Sequence, residues 1–212
     1  MKIAKDKINL LKAYNMLLYF AGSMIMNEPT EECIIDFWTK GTLKKLPVRS
    51  SNPRFIKAAS ILRESCQDED LCRKILRDDF LRLFDKTGLH LAPAIESVHI
   101  NTKKSSFGTG GSAGDFYRSY GWKPAPVAGV QDDHLGIELF FLTRLVENYI
   151  QIDDDPCGLE MKNEIRRFID EHILTWIPEW DECIQEHADT LCYKGISTLI
   201  YACIEDIHSL LS

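Results

Sequence analysis

Apolar residues recur every three or four positions along most of the chain, and strict alternation over five or more residues is hard to find. That spacing lines one face of a helix, whereas a half-buried strand needs a period of two. An all-α fold follows. Ile3, Leu10, Tyr14, Leu17, Leu18 and Ala21 form the first stripe, and a second apolar segment lies around Ile34–Trp38. Asn52-Pro53 is an N-cap residue followed by proline at the first helical position; Phe55, Ala59, Leu62 and Cys66 continue it. Cys72, Leu76, Phe80 and Leu83 predict a helix over about 69–85 that stops near Gly88.

The helix opened by Asp132-Asp133 carries Leu135, Leu139, Leu142, Val146 and Tyr149 on one face. Ile137, Phe140, Phe141 and Leu145 fill much of the other. A helix apolar nearly all round is a central, buried one. Asp153-Asp154-Asp155-Pro156 signals a further start, followed by Met161, Ile165, Phe168, Ile169 and Ile173. Pro178 is expected to end that helix. Trp176, Pro178 and Trp180 form an aromatic turn expected to pack into the core. Ile184, Ala188, Leu191, Cys192, Ile196, Leu199, Cys203, Ile207 and Leu210 make the last helical stretch. Val98–Ile100 is the best short extended candidate.

Between Asn101 and Gly129 the pattern breaks. Gly108, Gly110, Gly111, Gly114, Gly121 and Gly129, half of the chain's 12 glycines, fall here with Pro124 and Pro126. So long a connection is often functional or mobile, although Asp115–Ser119 fits a short helix. Phe107–Gly114 is expected to be the most mobile internal stretch. The chain reads as one all-helical globular domain over 1–212. Its N-terminal helices cover about 1–100, the glycine-rich connector about 101–130 and its C-terminal helices about 131–212.

Charge and motifs narrow the chemistry. Asp and Glu number 32 against 25 Lys and Arg, a net charge of −7. This argues against a general nucleic-acid binder and suits a cationic partner. The seven cysteines are irregularly spaced and lack any C-x-x-C, so a disulfide framework or zinc knuckle is not expected. Most should be buried, reduced and hydrophobic in character. His134/Glu138 and Cys183/His187 each supply only two of the three or four ligands a metal site needs, so no tightly bound metal is expected. Gly110-Gly111-Ser112-Ala113-Gly114 matches the nucleophile-elbow pattern, without the strand and sheet that strained turn requires. Gly108-x-Gly110-x-x-Ala113 is a loose dinucleotide fingerprint, and no phosphate-loop lysine motif occurs. A nucleotide-binding or nucleotide-hydrolysing helical protein using this loop is therefore the alternative functional reading.

Asp132-Asp133-His134 is the outstanding polar cluster. One Asp is expected to cap the following helix and interact with its positive end. Lys2, Lys5, Lys7 and Lys12 ahead of Met16–Met26 imitate a signal peptide. Asp6 among the lysines, and the single apolar face, fit an amphipathic first helix better. No apolar run approaches the roughly 18 residues of a membrane span. A cytoplasmic protein without stable membrane insertion is expected.

Four segments in order resemble the TorD/DmsD family of cytoplasmic chaperones for molybdenum-cofactor oxidoreductases. They are Phe80-x-x-Leu83-Phe84, Ala92-Pro93-Ala94-x-Glu96-Ser97-Val98, Asp133-His134-Leu135-Gly136-x-Glu138-Leu139 and His172-x-Leu174-x-Trp176-x-Pro178. The resemblance is clear from about Asp78 to the end. It implies an all-helical, non-enzymatic chaperone with no cofactor of its own. Its partners would be the twin-arginine signal peptide and folding intermediate of a molybdopterin oxidoreductase, with GTP as a weak ligand. Phe80, Leu83, Gly88, Pro93, Ala94, Asp133 and His134 match the family's peptide-binding hot spot. Two departures stand out: Val130-Gln131-Asp132 lacks the family's proline ahead of Asp-His, and Ser97-Val98-His99 stands where the family has Ser-Val-Tyr. Two arginines and an apolar segment call for carboxylates beside an apolar groove. Asp132, Asp133 and Glu138 beside Leu83, Phe84, Pro93 and Leu135 supply both characters.

Overall fold

The computed structural model describes residues 3–32, 35, 45–65, 69–85, 90–100, 111–124 and 130–212. Nine α-helices occur among them: α1 (Lys5–Met26), α2 (Pro53–Glu64), α3 (Glu69–Phe84), α4 (Glu96–Ile100), α5 (Ala113–Ser119), α6 (Leu135–Gln151), α7 (Asp155–Phe168), α8 (Ile177–His187) and α9 (Leu191–Leu210). A π-helical turn, Ile169–Ile173, continues α7. No named strand is present among the described residues; the single isolated bridge pairs Ile95 with His134. The Ile34–Trp38 segment except Ile35, Cys66, Gly88 and residues 101–110 lie outside the described residues.

α6, apolar nearly all round, is central, as its sequence demands: Leu135, Leu139, Phe141, Leu142, Leu145 and Val146 are fully buried. It packs on α1 and α7, while α9 packs on α2, α1 and α8, so helices from both ends of the chain share one core. Glycine permits two of these crossings. A Cβ on Gly136 of α6 would collide with the Met26 side chain and stand 3.0 Å from the Gly22 carbonyl oxygen of α1. A Cβ on Gly195 of α9 would stand 2.7 Å from Leu62 of α2. Overpacking of this kind costs about 1–3 kcal/mol. Gly195→Val is therefore expected to lower the urea-unfolding free energy by about that amount, and an unchanged midpoint would show that α2 and α9 can part freely.

Asn52 caps α2, its Oδ1 accepting from Arg54 N at 2.9 Å, with Pro53 at the first helical position. Its amide also donates to Asp206 Oδ1 of α9, and Asp206 Oδ2 accepts from Tyr14 and Ser50. Asp154 caps α7, accepting from Cys157 N. Trp176 and Trp180 are fully buried.

Several expectations need correction. Val98–Ile100 belongs to helix α4, because Asp133 satisfies the first N–H groups of that turn. Pro178 sits in the first turn of α8, where its missing N–H costs nothing; the preceding helix has already passed through the π turn. The final stretch is two helices, because Thr190 caps α9 and breaks the run at 188–190. Cys72 is disulfide-bonded and so is not a reduced thiol. Cys192 and Cys203 are free and buried as expected, whereas Cys157 is free and exposed. Within the glycine-rich connector, residues 113–119 form α5, one turn-fraction longer than the short helix expected at Asp115–Ser119.

Candidate functional site

The four sequence segments converge around one stretch of chain, residues 91–96. His90, in the left-handed region at φ 49°, leads into it. Leu91 N and Ala92 N then donate to the carbonyls of Arg82 and Leu83 at the end of α3. On the other side Leu135 N donates to Ala94 O at 2.8 Å and Glu96 N to Asp133 O at 2.9 Å. The 91–96 stretch thus joins the end of α3 to the head of α6. The fourth segment and the helix after it brace the stretch: His172 Nδ1 lies 3.1 Å from Glu96 Oε1 and the Trp176 ring stacks on His99, while from α8 Trp180 Nε1 donates to Ala92 O and Cys183 Sγ lies 3.2 Å from Leu91 O. His99, standing where the resembled family has tyrosine, also reaches Pro93 O at 2.8 Å. The end of α3 is latched in turn, because buried Asp79 accepts from Asp189 N, Thr190 N and Thr190 Oγ1.

At the head of α6 the expected capping is reassigned. His134, not an aspartate, caps α6: its Nδ1 accepts from Gly136 N at 3.0 Å, so that nitrogen carries no proton. Asp133 caps α4 instead, with Oδ2 accepting from Ser97 N at 3.1 Å. The pair therefore clamps two helix starts together, which residue spacing along one helix does not reveal.

The expected site residues divide by access. Phe84, Pro93, Asp133 and His134 are half-buried and reachable from solvent. Phe80, Leu83 and Ala94 are buried behind them, and Glu138 is fully buried. Gly88 lies outside the described residues. Phe80, Phe84 and Tyr193 form a chain of edge-on rings beneath the apolar part.

Glu96 and His172 stand in the resembled motifs with no role expected of them, and Tyr117 lies outside those motifs. Glu96 is buried, and its Oε1 lies 3.1 Å from His172 Nδ1. Tyr117 donates to Asp132 O at 3.0 Å. Glu138 lies among these groups with neither carboxyl oxygen hydrogen-bonded among the described residues. Burial first, then the charges of Glu96 and Asp133, pushes its carboxyl well above the usual range. Burial also pushes the Tyr117 phenol up, followed by Glu138, Glu96, Asp132 and Asp133. A carboxylate at position 138 of α6, at helical spacing with the apolar Leu135 and Leu142, was the available signal.

The other motifs dissolve into local structure. Ser112 of the nucleophile-elbow pattern is the N-cap of α5, in a reciprocal capping box with Asp115. Gly108 and Gly110 of the nucleotide fingerprint lie outside the described residues. No group of three or more potential metal ligands occurs among the described residues. No helix there is long and apolar enough to cross a membrane.

No curated protein matches the chain at a significant level. A family model does: that of the nitrate reductase delta subunit, over residues 51–182. The match covers more than half of the 212 residues and contains all four converging segments. The chain therefore belongs to the nitrate reductase delta subunit family, a NarJ/TorD-type family of chaperones, rather than catalysts, for redox-enzyme maturation.

Proposed function

We propose that the chain binds the twin-arginine signal peptide of a molybdopterin oxidoreductase and assists folding and cofactor insertion before export. The peptide lies on the face formed by Phe84, Pro93, Asp133 and His134, with the buried residues behind it setting the shape. The observation that carries this reading is the convergence of the four family segments on residues 91–96, with a half-buried carboxylate beside half-buried apolar side chains. Guanidinium groups pair with carboxylates, and the apolar part of the leader needs a groove. The net charge of −7 steers such a ligand inward.

Calorimetric titration with a synthetic peptide carrying the Arg-Arg pair and its apolar segment tests this. Saturable binding is expected, weakened about tenfold or more when both arginines are replaced by glutamine. Equal affinity for the two peptides refutes the reading.

A further inference from the structure

A cleft of about 400 Å³ opens between α5 and the junction of α7 with the π turn. Ser112, Asp115 and Phe116 line one side, Arg167 and Glu171 the other, and His172 closes it below. This size is in the range of small-ligand sites. Single π turns inside helices occur frequently at functional sites, and here the π turn carries His172.

His172 is only 5% exposed. Its Nδ1 is engaged by the Glu96 carboxyl group, 3.1 Å away. Nε2 has no partner among the described residues. With Nδ1 turned to Glu96, Nε2 is the ring nitrogen left for a further hydrogen-bond partner. The surroundings ask for positive charge. Asp115 and Glu171 stand at the rim and Glu96 behind the imidazole, while Asp132 Oδ2 lies close to the α5 start beside Ser112. The two nearby cations are already committed, Arg118 to Asp115 and Arg167 to Glu164. The aromatic wall already carries a flat cation: the Arg167 guanidinium carbon sits 4.6 Å over the Phe116 ring.

We propose that this cleft binds the guanidinium of an arginine side chain from a partner segment, with Arg167 as the resident group that the incoming arginine must share space with or displace. The incoming group donates to His172 Nε2 and pairs with Glu171. The inference rests on the peptide-binding reading only for the origin of that segment.

The test uses the full chain labelled with ¹⁵N-histidine and agmatine as a free guanidinium probe, with inorganic phosphate as the opposite charge. Agmatine is expected to shift the His172 Nε2 resonance saturably, and phosphate is not. Arg167 and Glu171 are exposed, so their variants should fold. Arg167→Gln is expected to tighten agmatine binding about twofold to fivefold, and Glu171→Gln to weaken it by a similar factor, the range for exposed ion pairs. No saturable shift, a response to phosphate alone, or affinities unchanged in both variants overturns the proposal. If agmatine fails while the twin-arginine peptide still binds, the cleft is wrong and the proposed function stands. If agmatine binds and the peptide does not, the cleft stands and the proposed function falls.

Discussion

Asp133→Asn is expected to cut affinity for the twin-arginine peptide by roughly ten- to a hundredfold while leaving the fold intact. Asparagine keeps an oxygen for Ser97 N, the bond through which Asp133 caps α4. Asn and Asp cap about equally well, so stability should move by less than about 1 kcal/mol. The substitution removes the charge. A hydrogen bond to a charged group contributes about 1.5–3 kcal/mol, and about 1.4 kcal/mol is tenfold in affinity. Because part of the attraction is screened coulombic, added salt should weaken the wild type more than the variant. His134→Ala should behave differently, since it deletes the α6 cap and costs about 0.5–2 kcal/mol of stability. If both variants remain folded and calorimetry finds unchanged peptide affinity, Asp133-His134 serves only to clamp two helix starts.

Glu138→Met is expected to stabilise the protein by about 1–3 kcal/mol near neutral pH, the desolvation penalty of a buried polar group without a partner. Methionine has a similar unbranched shape and fills the site without polar atoms. The pH dependence gives the sign. The folded carboxyl is held above its ordinary value of 4.5, so above that pH the folded state keeps a proton that the unfolded chain has released. Stability contributed by this group is complete below about pH 4.5 and declines as pH rises towards the folded value. The variant should lose that downward slope. Urea unfolding at pH 5 and pH 8 measures it; an identical pH dependence in wild type and variant would show that Glu138 is ionised and paired in the native state.

The helices were legible because periodicity reports burial directly: most of α6 is buried, as its apolar residues require, and Asn52 and Asp154 cap where their side chains permit. Val98–Ile100 misled because two β-branched residues say nothing about Asp133, which accepts from Ser97 N 36 positions earlier and caps their turn. The pair Asp133-His134 was visible as a polar cluster, yet its division of labour between α4 and α6 depends on the tertiary bridge at Ile95. Glu96 and His172 are separated by 76 positions, and only the fold makes them partners. Burial of Phe80, Leu83 and Ala94 was equally hidden, because a stripe of apolar residues does not say which of them stop short of the surface.

The brace behind residues 91–96 also fixes when that stretch is complete. Ala92 O waits for Trp180, 88 positions later, and Asp79 waits for Thr190, 111 positions later. Closing loops of that length must precede the contacts that reward it, which makes such pairings late events in folding. During synthesis the 91–96 stretch lacks its Trp180 brace, and the end of α3 its Thr190 latch, until each of those positions has emerged. A nascent copy therefore has no braced 91–96 stretch before its own C-terminal helices have docked.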